Sequence, residues 1–398
     1  MARTVDPRFA ERMRDLLAER AVSYRVLAAR TYYAKTYLHA LATGAKSPTL
    51  EAAARIDDAL AADGELVGYI NEPAGSDGAA ASRDSARLVE LLCGGQVVDA
   101  LDAAALGAHQ LSVDYLSSPP DEMLRQATQL RRTAMAVLPR LHGRARAAEE
   151  TDLLLALGHM SGVLAYAALD LGDAAAAAGH ARAAWQCADT IDHHGLRAWV
   201  RGTQSLICRF GSGYGKALTY ARDGMHYAHD GAAQARLLCG QAQSHANIGD
   251  GPAARRELTA AADAHGREHT PADGLFGFSA AKLAYYSGST LIWLDHRDDA
   301  EHAQTESLRA IGLWEVSDPH ERSMGDEALA RVYLATARLQ LHQLEGAVAA
   351  LAPILDLPED RKLSWIGKRL ARIAEILAAA PYTNDPVARE LGERIHAF

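Results

Sequence analysis

The chain has 398 residues, enough for two or three cores, so a short head followed by a larger body is the first expectation. Hydrophobic residues make up 49% and aromatics only 6%, with Ala runs such as Ala174 to Ala178, a composition that suits closely packed helices and excludes a sheet-rich protein. The net charge of −9 argues against nucleic-acid binding by the whole surface, yet residues 1–49 hold nine Lys or Arg and four acids, a net of +5, which leaves −14 for the rest.

In chain order, Phe9, Met13, Leu16 and Leu17 form one apolar stripe at helical spacing and predict a first helix from Pro7 to Arg20. Ser23 is the expected N-cap of a short second helix through Val26, Leu27 and Ala28. A break near Thr31 to Tyr33 precedes a third helix over 34–43, with Leu38 and Leu41 inward and Gly44 at a left-handed C-cap. Thr49 can cap a fourth helix carrying Leu50, Ala53, Ile56 and Leu60, which Gly64 ends. The segment 71–84, NEPAGSDGAAASRD, is small, polar and turn-rich, and predicts a linker between a head at 1–70 and a body at 85–398.

Beyond the linker, helical stretches recur in pairs with no run of alternating β-branched residues. Segments 165–184 and 242–261 align on Ala followed by Gly-Asp seven and eight residues on, with small residues further along that let two helices approach closely. Ser212-Gly213, Arg297-Asp298 and His342-Gln343 occupy the corresponding turns in looser copies. The fold class expected is all-α: a five-helix head followed by an α-solenoid of helical hairpins, which resembles tetratricopeptide repeats over roughly residues 150–360.

No catalytic constellation emerges, and no enzyme activity, cofactor or metal is expected. Gly211 to Lys216 (GSGYGK) has three residues between Gly211 and Gly215-Lys216 instead of the four of a phosphate loop, and Ala217 follows instead of Ser or Thr, so a repeat turn is expected. His226 and His229 with Asp230 lack a partner at metal-ligand spacing, and His193-His194 read as a helix end. The acidic pairs Asp57-Asp58 and Glu149-Glu150 read as solvated faces. Cys93, Cys187, Cys208 and Cys239 stand far apart and read as buried thiols. The first residues lack an apolar leader pattern and no uncharged apolar run is long enough to span a bilayer, so a cytoplasmic protein without membrane contact is expected.

The segment Leu27 to Thr49, LAARTYYAKTYLHALATGAKSPT, resembles the helix-turn-helix of Xre/Cro-type repressors through Leu27-Ala28, Leu38, Leu41, Gly44, Lys46 and Pro48. The resemblance implies double-stranded DNA as partner. It assigns base-edge contacts to Lys35 and Thr36, with His39 and Ala40 one turn on, and phosphate contacts to Tyr24, Arg25, Tyr37, Thr43 and Lys46. Two positions depart from the pattern: Ala42 stands where an acid is common and Tyr24 where Gln is common. Of the neighbouring tyrosines Tyr32, Tyr33 and Tyr37, one or two are expected to pack against the first helix. An Xre-type head on a repeat body is similar to the RRNPP peptide-pheromone receptors, which implies a homodimer on a palindromic operator and a signalling peptide or small effector in the groove. Tyr166, Arg236, Gln243 and Asn247 are the candidate effector contacts. The alternative is an adaptor whose head no longer reads DNA. Only six of 41 basic residues are Lys, a bias that suits a high-GC bacterial genome.

Overall fold

The computed structural model describes residues 7–20, 22–31, 33–46, 48, 50–60, 62, 65–66, 69, 97–141, 147–267, 274–294, 296–318 and 321–398. The chain divides into two units, residues 1–94 and 95–398. The linker expected at 71–84, the start of the body and Cys93 lie outside the described residues, as do Tyr32, Thr49 and Gly64. Regular structure among the described residues is helical throughout, with eighteen α-helices and no strand.

The first unit contains α1 (Pro7–Glu19), α2 (Tyr24–Thr31), α3 (Lys35–Ala42) and α4 (Leu50–Leu60). The four apolar side chains of α1 meet Leu27 of α2, Leu38 and Leu41 of α3, and Ala53, Ile56 and Leu60 of α4 in one core. Ser23 Oγ accepts the Val26 N–H at 3.3 Å, the N-cap expected for α2. Helical backbone recurs at Glu65, Leu66 and Tyr69, and Leu66 is fully buried against the same core. Its N–H donates to the Asp57 carboxylate at 2.6 Å. Asp57 is therefore buried, contrary to the solvated face expected of the Asp57-Asp58 pair, because its carboxylate satisfies an amide that packing would otherwise strand.

The second unit is an α-solenoid. A leading hairpin, α5 (Val97–Asp114) and α6 (Pro120–Met135), precedes α7 (Ala147–Asp170), α8 (Ala174–Thr190), α9 (His194–Phe210), α10 (Tyr214–Gly224), α11 (Gly231–Asn247) and α12 (Gly251–His265). Then follow α13 (Ala280–Leu291), α14 (Arg297–Glu315), α15 (Met324–Gln340), α16 (Leu344–Leu355), α17 (Ser364–Ala378) and α18 (Pro386–His396). Each odd-numbered helix from α5 to α15 packs on the next odd one, and the even helices pair with their hairpin partners. The aligned small residues do what their spacing predicts: Ala177, Ala184, Ala254 and Ala261 are fully buried where hairpin partners meet.

One turn design recurs. Gly172, Ser212, Gly249 and His342 adopt positive φ, and the following residues, Asp173, Gly213, Asp250 and Gln343, donate back five residues to Ala168, Cys208, His245 and Arg338. That bond closes a Schellman motif. Asp173 and Asp250 then cap the next helix, accepting from Ala176 N at 2.8 Å and Ala253 N at 3.0 Å. Arg297-Asp298 departs from expectation: they open α14 and are not its preceding turn, because acids favour the positive end of a helix dipole. His193 likewise starts a helix, its Nδ1 accepting Leu196 N at 3.0 Å as the cap of α9. By length and composition α7 could cross a membrane, but 72% of its apolar window is buried inside the body.

The solenoid closes on itself. Helix α17 packs against α7, Met324 N donates to Leu116 O at 3.0 Å, and the Arg361 guanidinium donates to Ser117 O. A 3-10 turn at Gly274–Phe276 docks on α5, with Leu275 N donating to Ser112 Oγ at 3.1 Å. Gly274 has φ +67° and approaches the Ser112 carbonyl so closely that an added Cβ would lie 2.6 Å from its oxygen. Gly274→Ala is expected to destabilise the chain by about 2–4 kcal/mol through backbone strain and collision. Gly179→Ala, at an exposed and unobstructed helix position, is expected to stabilise by roughly 0.5–1 kcal/mol. Denaturant unfolding of the full chain checks the opposite signs.

Candidate functional site

In the head, buried Thr31 sets the elbow between α2 and α3: its Oγ1 donates to Leu27 O at 2.8 Å and accepts Tyr33 N at 3.4 Å. Leu27, Leu38 and Leu41 are fully buried, which fixes the roll of α3 and turns its opposite face outward. Lys35, Thr36 and His39 are exposed on that face, with Ala40 half-buried beside them. No side chain caps the N-terminus of α3 at Ala34, so its leading amides keep the positive end of the helix dipole available to an anion.

The expected phosphate contacts fall into two groups. Half-buried Tyr24 stands with its ring 5.7 Å from that of His39, and Arg25 beside it is exposed. Tyr37 lies between Tyr33, at 5.3 Å ring to ring, and the Lys46 ammonium, 5.7 Å from its ring centre. Burial, with Tyr33 adding to it, pushes the Tyr37 phenol above its ordinary pKa, so it is a neutral donor at physiological pH. Thr43 differs: its hydroxyl donates to His39 O at 2.9 Å and holds the end of α3. Gly44, at φ +74°, turns the chain so that Lys46 N reaches Ala40 O at 3.1 Å, which brings Lys46 back beside the helix. Tyr33 packs against the shared core of the head, to which α1 contributes, and lies under Arg55 of α4, whose guanidinium carbon is 5.4 Å from the ring centre.

In the body, closure of the solenoid converts its concave side into a cavity of about 110 Å³. Asp170, the last residue of α7, accepts hydrogen bonds from the Tyr115 hydroxyl and from Trp365 Nε1, the latter at 2.7 Å. Burial pushes its carboxyl up to about 7, against the pull of these two donors, and Asp326 adds to the rise. Burial pulls the Lys282 ammonium down to about 8, opposed by Asp326. The Asp326 carboxyl is itself raised by burial, with Lys282 and a hydrogen bond from Ser323 Oγ acting the other way.

Of the four effector contacts read from the sequence, Tyr166 and Arg236 line this cavity, Gln243 lines a much smaller neighbouring one, and Asn247 lines neither. Arg236 is a structural member of the wall: it donates to Trp199 O at 2.7 Å, Tyr166 Oη at 2.9 Å and Thr203 Oγ1 at 3.0 Å. Gln243 donates to Ser289 Oγ, and the Asn247 amide returns to Gln243 O at 2.8 Å. Both amides thus have partners within the body: the packing of α11 on α13 occupies the Gln243 side chain, and Asn247 bonds its own helix. Tyr115, Asp170, Lys282, Asp326 and Trp365 were missed. Two signals were present: an acid at the negative end of the long apolar α7, and a lysine inside the apolar run 280–286 of a chain with six lysines.

Residues 8–68 match the family model of a helix-turn-helix domain. The first unit is thus a helix-turn-helix domain, the class of fold that offers one helix to a DNA groove. No curated protein was found to match the chain.

Asp170 keeps its proton in the folded chain to about pH 7, whereas its ordinary pKa is 3.8. Its contribution to stability is therefore complete below the ordinary value and lost as pH rises toward 7. The melting temperature of Asp170→Asn, relative to the unaltered chain, is expected to rise by several degrees between about pH 4.5 and 7.5. A difference that stays constant over that window contradicts a protonated Asp170.

Proposed function

We propose that this protein is a sequence-specific DNA-binding transcriptional regulator, acting as a cytoplasmic homodimer on a palindromic operator, whose repeat body binds an effector that controls DNA binding. The observation that carries the reading is the division of α3 into a buried face of Leu38 and Leu41 and an exposed face of Lys35, Thr36 and His39. Lys35 matches guanine O6 and N7, Thr36 matches a hydrogen-bonding base edge or a thymine methyl, and half-buried Ala40 offers methyl contact. Arg25 and Lys46 neutralise phosphates on either side, and the excess of basic residues in the head supports the same direction of approach.

One head covers a half-site and gives modest affinity, which is the physical reason for a dimer. The hairpin repeats resemble tetratricopeptide repeats and supply the effector domain of this reading. The two departures from the Xre-type pattern fit it: Ala42 is fully buried in the head core, and Tyr24 retains a hydroxyl beside His39.

Selection of bound duplexes from random DNA with the full chain is expected to return a palindrome. Lys35→Ala is expected to weaken binding to it by about 1–3 kcal/mol and to relax preference at one position in each half. Lys46→Ala is expected to weaken all sequences alike and to lower the salt dependence by about one ion. Recovery of no sequence preference contradicts the reading and favours an adaptor with a silent head.

A further inference from the structure

The cavity of the body holds two charges of opposite sign that do not pair, on buried Lys282 and half-buried Asp326. Lys282 Nζ donates to Gly277 O at 3.0 Å and Gly274 O at 3.4 Å, which leaves one of its three protons without a protein acceptor. Asp326 takes the Ser323 hydroxyl at 2.9 Å on one oxygen, and its other oxygen has no hydrogen-bond partner among the described residues. The two attract each other, yet no ion pair closes between them. Unpaired charge partly withdrawn from bulk water is costly, and a molecule carrying both complements offsets the cost at both ends at once.

The rest of the wall agrees with a small polar guest. Tyr286 presents a hydroxyl with no partner among the described residues, and Trp365 and Phe278 add aromatic surface that favours an ammonium nearby. Asp170 also faces the space, but both its oxygens are engaged by Tyr115 and Trp365, so it shapes the wall and leaves recognition to Asp326. The volume of about 110 Å³ is somewhat below the ~150 Å³ of a cavity that admits benzene, which limits a guest to on the order of six or seven heavy atoms.

We propose that the cavity between Lys282 and Asp326 binds a small zwitterion of the α-amino-acid type, its carboxylate on Lys282 and Tyr286 and its ammonium on Asp326. Tyr115, Leu116 and Ser118 of the α5–α6 turn and the segment entering α17 share the lining, so the guest sits where the first and last parts of the closed solenoid meet. Its role as the effector rests on the regulator reading above; its binding does not.

The test is thermal shift and calorimetry on the full chain with glycine, L-alanine and L-serine as probes, and with propionate and ethylamine as controls that each lack one charge. At least one amino acid is expected to raise the melting temperature by a few degrees, and neither control to do so. Asp326→Asn and Lys282→Gln are each expected to weaken binding tenfold or more. Should either fail to fold, Tyr286→Phe, which removes only a hydroxyl, is expected to leave the fold intact and weaken binding several-fold. No shift with any probe, an equal shift with propionate, or unchanged affinity in the folded variants overturns the proposal. Operator binding measured with and without the bound amino acid separates the two readings: binding without any effect on DNA keeps the site and removes the effector role.

Discussion

The body depends on one buried carboxyl. Asp170 joins Tyr115, just past the end of α5, to Trp365 at the start of α17, residues separated from it by 55 and 195 positions. An open solenoid leaves its concave face to solvent and offers it to an extended partner. Here the last hairpin returns to the first, and the concave face becomes interior. The charges that line it are then removed from bulk water, which is the common cause of the displaced protonation of Asp170, Lys282 and Asp326. Aromatic packing supports the same joint: the Trp365 ring meets Phe210 edge-on at 4.2 Å.

The head works by a different economy of contacts. Its core is local, with α1, α2 and α4 holding α3 by a few fully buried side chains, Leu27, Leu38 and Leu41 among them, so that the opposite face of α3 stays outward. Polar bonds then remove the remaining freedom. Thr31 fixes the elbow, Arg30 Nη1 ties α2 to Ala59 O of α4 at 3.1 Å, and Asp57 ties α4 to the Leu66 amide. On the proposed reading, rigidity behind α3 matters because contacts to base edges discriminate only when side chains arrive in a fixed register.

What could be read from the sequence follows the range of the interactions. The apolar stripe of Phe9, Met13, Leu16 and Leu17 and the cap at Gly44 are local signals, and the structure has them as read. The Gly-Asp turns were legible because positive φ and helix capping each demand particular residues within two positions. Asp57 was misread because adjacency to Asp58 suggested solvent, while its partner, Leu66, lies nine positions away beyond a turn. The cavity was legible only in Tyr166 and Arg236. Its other walls come from helices spread along the whole body, and whether they meet depends on the rise of the superhelix, which small errors in each hairpin angle would change.

Closure is tested most directly by residue-resolved hydrogen exchange at two amides. Met324 is the first residue of α15, where a helix supplies no acceptor, and its N–H is held only by Leu116 O across the joint; Leu275 N is held by Ser112 Oγ. A closed body predicts that both exchange on the order of 100-fold more slowly than the Gly325 amide in the same first turn. Exchange of all three at one fast rate would mean an open solenoid, with neither the cavity nor the buried Asp170 described above.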